Sequence, residues 1–223
     1  DGEDKLREFL AFLKEEPEIC LLSSGFPLGY LPRPILRPLT IEEEAELLER
    51  FFPGKEDRLI DFSSSMKRIK KVSWIPTDIF IRLKDNLSSY RLYEEILSVP
   101  KQVVEEEWKK GEEWHNAKNR KTDHVIPGRL FAKEVIYFED GFSFTVYQRD
   151  DYFGKQKLED LWRAVGEAGY GADSSTGKGQ FACKVEDFTI EGAKNGNGFM
   201  FLSHTIPDLN DPQEGNYDIL TKF

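Results

Sequence analysis

The stretch Gly169-Tyr170-Gly171-Ala172-Asp173-Ser174-Ser175-Thr176-Gly177-Lys178-Gly179-Gln180-Phe181 constrains this chain more than any other. It gathers four glycines, three hydroxyl side chains (Ser174, Ser175, Thr176) and Lys178 into one short loop. A helix-like run, 155–167, leads in and a strand-like run, 181–190, leads out. That order removes two familiar nucleotide pockets. A P-loop needs GxxxxGK[ST] after a strand and before a helix. Here Gly177-Lys178 is followed by Gly179, and Ala172 stands where the first glycine belongs. The dinucleotide fingerprint fails because Ser174 takes the place of its third glycine. What remains is a run of glycines able to turn backbone N–H groups toward an anion and to admit a sugar-phosphate chain closely. The plainer alternative is an elaborate helix-to-strand turn, although four glycines exceed what a turn needs.

Charge limits what such a loop can bind unaided. The 223-residue chain carries a net charge of −10, and its field repels phosphates at long range. Nucleic-acid contact must therefore be local, with partners in an assembly supplying basic surface. Apolar residues at 39% and aromatics at 13% are enough for a packed interior and argue against global disorder. Cys20 and Cys183 are isolated, which excludes a disulfide framework or a CxxC metal pair. No apolar run reaches transmembrane length and no signal peptide opens the sequence, so the expected setting is cytoplasmic, without a membrane.

Along the chain, Leu6, Phe9, Leu10 and Leu13 mark an amphipathic helix that Pro17 ends. Residues 23–38 hold four prolines and read as a stiff, extended loop carrying Tyr30, Arg33 and Arg37. It either packs on the core or binds a ligand by stacking and phosphate contact. Residues 41–52 form a second helix with Thr40 as N-cap. Lys67, Arg68, Lys70 and Lys71 crowd into five positions of an acidic chain. Residues 75–83 are a short helix or strand. Residues 90–114 read as mostly helical, with Pro100 as a break and Trp108 and Trp114 as core or interface anchors. A polar loop at 115–129 is made basic by Lys118, Arg120, Lys121 and Arg129. Strands 130–138 and 142–148 flank Asp140-Gly141, a hairpin signal. A helix with Leu158, Leu161, Trp162 and Val165 on one face precedes the glycine loop, with Trp162 in the core. A glycine-asparagine linker at 195–198, a strand at 199–206, a loop at 207–216 and a last strand at 217–223 close the chain.

Helix, hairpin, helix, glycine loop and strand make most of a βαββαβ pattern, so the expected class is α+β, ferredoxin-like. On that reading residues 1–190 form one ferredoxin-like domain with an insertion at about 15–129. Residues 191–223 are a linker and the start of a second such module. The first strand and the end of the second module are the expected missing pieces.

The glycine loop resembles that of the RAMP superfamily of CRISPR proteins. Together with Gly29-Tyr30-Leu31-Pro32-Arg33-Pro34 and with Gly128-Arg129-Leu130-Phe131 before Ile136-Tyr137-Phe138, the chain looks like the family of fourth Csm subunits in type III-A effector complexes. The resemblance runs in the same order over most of the chain. It departs from that family in lacking the N-terminal strand and a complete C-terminal module. It implies RRM-like RAMP modules in a non-catalytic subunit that binds the repeat-derived 5′ tag of crRNA. The implied protein partners are the large polymerase-like subunit and the backbone subunit. The implied RNA-binding set is Gly169, Gly171, Ser174, Ser175, Thr176, Gly177, Lys178, Gly179, Tyr30, Arg33, Lys121, His124 and Arg129. No cofactor, metal or catalytic residue is expected. The rivals are a RAMP-type crRNA-processing endoribonuclease, for which His124 is a better general acid or base than His115 or His204, and a pure protein-interaction module.

Overall fold

A computed structural model describes residues 2–16, 19–54, 56–99, 108–119, 121–122, 124–194, 196, 198–205, 210 and 214–218. The elements, in chain order, are α1 (Gly2–Glu15), β1 (Cys20–Pro27), β2 (Tyr30–Pro32), α2 (Ile41–Phe51), α3 (Arg58–Lys71), β3 (Trp74–Pro76), α4 (Thr77–Leu83), α5 (Ser89–Ser98), β4 (Trp108–Lys118), β5 (Val125–Phe138), β6 (Phe144–Asp150) and α6 (Lys155–Ala168). The class is mixed α+β with three two-stranded sheets, β1–β6, β2–β3 and β4–β5. Among the described residues no larger sheet forms. The chain divides into a first unit, residues 1–25 with 146–206, and a second unit, residues 26–145 with 207–223.

The first unit is tied by specific contacts rather than a deep core. In α1, Phe9 packs on Tyr152 and Phe153 at 5.1 and 4.9 Å between ring centres, yet the helix buries no residue completely. At the β6–α6 corner the Asp150 carboxylate accepts from the Phe153 and Gly154 N–H groups, at 3.1 and 2.9 Å, and turns the chain into α6. Trp162 is half-buried rather than enclosed, and its indole N–H donates to the Gln148 side-chain oxygen Oε1 at 2.9 Å. Residues 181–190 run beside α6, held by Phe181 N–H to Gly166 O at 3.2 Å and Lys155 to Asp187 at 2.8 Å. No strand pairs with them among the described residues, so the expected strand there is absent. The same holds for 199–205, where a single backbone bond, Ser24 N–H to Leu202 O at 2.8 Å, stands in place of a ladder. The last expected strand falls mostly outside the described residues.

The second unit holds the principal core. Leu47, Met66, Ile69, Val72, Ile75, Ile79, Leu83, Leu92, Tyr93 and Ile96 are buried together by α2–α5 and β3. Helix α2 starts where the sequence places it. Thr40 and Glu43 form a reciprocal capping box, with bonds of 3.2 and 2.9 Å. The Ser89 hydroxyl, buried in α5, donates to the Arg37 carbonyl and fastens the proline-rich segment to the helices. That segment is extended as expected, but its first part is strand β1, and Tyr30–Pro32 pairs with Trp74–Pro76.

Two further expectations are overturned. Residues 108–118 are strand, not helix, and the polar loop after them is the tip of a hairpin. Trp114 is 64% exposed and is no core anchor. The Asp140-Gly141 turn does form, with Phe142 N–H on Glu139 O at 3.0 Å and a left-handed Gly141 (φ 84°). The strands on either side of it do not pair with each other: β5 pairs with β4, and β6 with β1. The long register from Trp108↔Phe138 to Asn116↔Leu130 offers β5 far more pairing than the short turn does.

Candidate nucleic-acid interface

The glycine loop in the first unit is a closed ring on a stem. Tyr170 N–H donates to Gly179 O at 2.9 Å, and the Gln180 side chain donates to Glu167 O at 3.1 Å just below. Residues 170–179 therefore leave and return at one point, the form of a compact Ω-loop. Two glycines make that closure possible. A Cβ at Gly169 would lie 2.5 Å from the Lys178 carbonyl oxygen, and one at Gly179 would lie 2.0 Å from that of Tyr170. At the far side Ser174–Thr176 is a 3₁₀ turn ended by Gly177 in the left-handed region (φ 84°). Gly171 and Gly177 face open space, with nothing within 4 Å of an added Cβ.

The turn uses part of the polar inventory that the sequence offers to an anion. The Thr176 hydroxyl donates to Asp173 O at 2.8 Å, and the N–H groups of Thr176 and Gly177 donate to Asp173 O and Ser174 O, both at 3.0 Å. Ser174 is half-buried, whereas Ser175 and Lys178 are exposed at the rim. Tyr170, 80% exposed beside the ring, is a stacking surface that the sequence reading passed over.

The other expected RNA-binding residues lie in the second unit, in two groups. Lys121, His124 and Arg129 share the tip of the β4–β5 hairpin. Asn119 N–H donates to His124 O and Lys121 N–H to the Asn119 side-chain oxygen Oδ1, both at 2.9 Å. The ladder slips between Asn116 and Lys118, and Arg129 follows a left-handed Gly128 (φ 77°) in that irregular stretch. All three side chains are exposed. Arg120 lies outside the described residues. Below the tip, the His115 ring stacks on Phe131 at 5.6 Å, and its Nε2 is 3.6 Å from the Glu113 carboxylate.

Tyr30 and Arg33 belong to the second group. Arg33 is anchored twice at the end of α3: its N–H donates to Ser73 O and its Nε to Val72 O, both at 2.9 Å. This places it beside the run Lys67, Arg68, Lys70 and Lys71, whose side chains are all exposed. The sequence shows the run but not Arg33 next to it, because only the β2–β3 pairing brings them together. Among the described residues, no cluster of three or more His, Cys, Asp or Glu is placed to hold a metal ion, and no helix is long and apolar enough to cross a membrane.

No protein-family model matches the chain, and comparison with curated proteins finds no relative. The fold and the loops define the molecule at the level of a mixed α+β protein with an Ω-like glycine loop and a basic-tipped hairpin.

Proposed function

We propose that the chain is a non-catalytic RNA-binding subunit of a type III-A CRISPR (Csm) complex. It holds the repeat-derived 5′ tag of crRNA and bridges the large polymerase-like subunit to the backbone RAMP subunit. The observation that carries this reading is the glycine loop: a ring closed at its base, with Gly171, Ser175, Gly177 and Lys178 outward and the aromatic face of Tyr170 beside them. A backbone can approach the two open glycines closely, hydroxyl and ammonium groups can meet its phosphates, and a base can stack on the ring. The three sequence motifs resembling the fourth Csm subunit add the identity of the RNA and of the partners. Such a surface on a chain of charge −10 works within an assembly, where neighbours supply the basic field.

The test is crRNA content in the assembled complex. Ser175→Glu combined with Lys178→Glu puts two carboxylates on the rim without touching the stem. The variant should enter the complex and lose at least about tenfold of its crRNA, the scale expected when charge-assisted phosphate contacts worth ~1.5–3 kcal/mol each are reversed. Undiminished crRNA in a fully assembled variant complex would sink the reading. Gly179→Val is the control for collapse of the ring, since its side chain would strike Tyr170 O.

A further inference from the structure

The basic run at the end of α3 is not used by the glycine loop or by the hairpin tip. At 100° per residue, Lys67, Arg68, Lys70 and Lys71 spread over about 160° of the helix surface, on the side away from buried Met66 and Ile69. None of the four side chains has an ion-pair or hydrogen-bond partner among the described residues. Their neighbours in the same unit behave differently. Arg37 pairs with Glu43, Arg50 with Glu94, Arg58 with Glu49, and Arg82 with both Asp78 and Glu95. Carboxylates of α2, α4 and α5 thus pair four arginines of this unit, though not Arg91, and leave the four cations at the end of α3 without partners among the described residues. Cations in a last helical turn suit the helix dipole, but four within five residues also repel one another at i, i+3 and i, i+4. Arg33, fixed to Val72 O, adds a fifth cation at the same end, with Glu44 the carboxylate that shares its surroundings near Tyr93.

We propose that this surface, the last two turns of α3 with Arg33, binds the phosphate backbone of single-stranded RNA without reading its sequence. It is a second contact, independent of the crRNA tag and of the reading given above. The residue types favour a polynucleotide over an acidic protein. Protein interfaces centre on apolar anchors and are depleted in lysine, and residues 63–71 expose no large apolar side chain. What they do expose, besides the cations, is Ser63 and Ser64 one turn earlier, hydroxyl donors of the kind that join lysine and arginine on phosphates.

The experiment uses the whole chain and a fluorescent oligouridylate that carries no repeat tag. Binding is followed by anisotropy across ~50–200 mM salt. The variant Lys67→Gln/Arg68→Gln/Lys70→Gln/Lys71→Gln keeps good helix formers on an exposed face. It should bind more weakly and lower the steepness of log K against log salt by about 3, at ~0.7 per phosphate contact. The single variants Lys67→Gln and Lys71→Gln should each lower it by about 0.7, so the result survives if the fourfold variant folds poorly. A variant with all three lysines changed to arginine should retain the parent slope. The proposal is overturned if the parent chain does not bind the oligouridylate at ~50 mM salt or if the slopes coincide. It is equally overturned if the four cations govern binding to polyglutamate and not to RNA, which would make the surface a dock for an acidic protein.

Discussion

Glu43 shows how much one carboxylate can organise. Its two oxygens receive both arms of Arg37, at 2.8 and 2.6 Å, and one also accepts the Thr40 N–H at 2.9 Å. These bonds, the Arg37 guanidinium first, hold its carboxyl down to about 2. An unfolded glutamate titrates near ~4.3. The folded state therefore gains stability that is fully present above the unfolded value and lost as pH falls through the folded one. Thermal midpoints measured between pH ~4.3 and about 2 should fall for the parent chain. Glu43→Gln should start lower at neutral pH and fall less steeply, and parallel curves would remove Glu43 from the account. The glycines divide at this same scale. Gly169 and Gly179 are needed because main-chain oxygens occupy the space of a side chain, whereas Gly177 is needed only for its left-handed backbone.

At the level of elements, the β4–β5 hairpin stands out because it leans on little but itself. Its strands contact each other along their length, and among the described residues neither forms an extensive contact with another helix or strand. Tyr137 lies across Gly111, where a Cβ would meet its ring at 2.9 Å, and its hydroxyl donates to the Glu113 carboxylate at 3.2 Å. A lone two-stranded ribbon is marginally stable in water. Hydrogen exchange should find the amides of β4 and β5 exchanging much faster than those of α2–α5, and crRNA-loaded complex should slow the tip residues around Lys121 and His124. Equal protection of hairpin and helices in the free chain would show that the ribbon has support beyond its own ladder. The hairpin also marks where the sequence was hard to read. Trp-Lys-Lys-Gly-Glu-Glu-Trp holds strong helix formers and no apolar alternation, so only its pairing with β5 makes it a strand. Helices α2 and α6 were legible because capping and a 3.6-residue apolar period are local signals. Residues 181–190 also carry a strand-like pattern, but alternation says which way side chains point, not whether a partner backbone lies within ~5 Å. The glycine loop was legible as a loop. Its closure by Tyr170 and Gly179 was not, since that bond joins residues nine apart in a ring with no period.

For the whole molecule, the distribution of burial matters more than the count of elements. The buried apolar cluster lies between residues 47 and 96, while the first unit is joined by aromatic edges, a carboxylate-capped corner and single backbone bonds. In a chain of charge −10, basic side chains gather at the hairpin tip and the end of α3, while the loop rim carries Lys178 alone. The two parts of the first unit are separated by the 120 residues from 26 to 145. This spacing has a consequence on the ribosome. At ~5–20 residues per second, α1 and β1 emerge and then wait roughly 6–24 s for the strand and helix that complete their unit. Meanwhile the cluster around Leu47 and Ile79 can close behind them. Ribosome-bound chains arrested after residue 145 should already resist protease across α2–α5 and still be cut in residues 1–25. Residues 1–25 thus stay unfinished longer than the helices that follow them, and a chaperone that holds unpaired apolar faces would be needed at α1 after α2–α5 have closed.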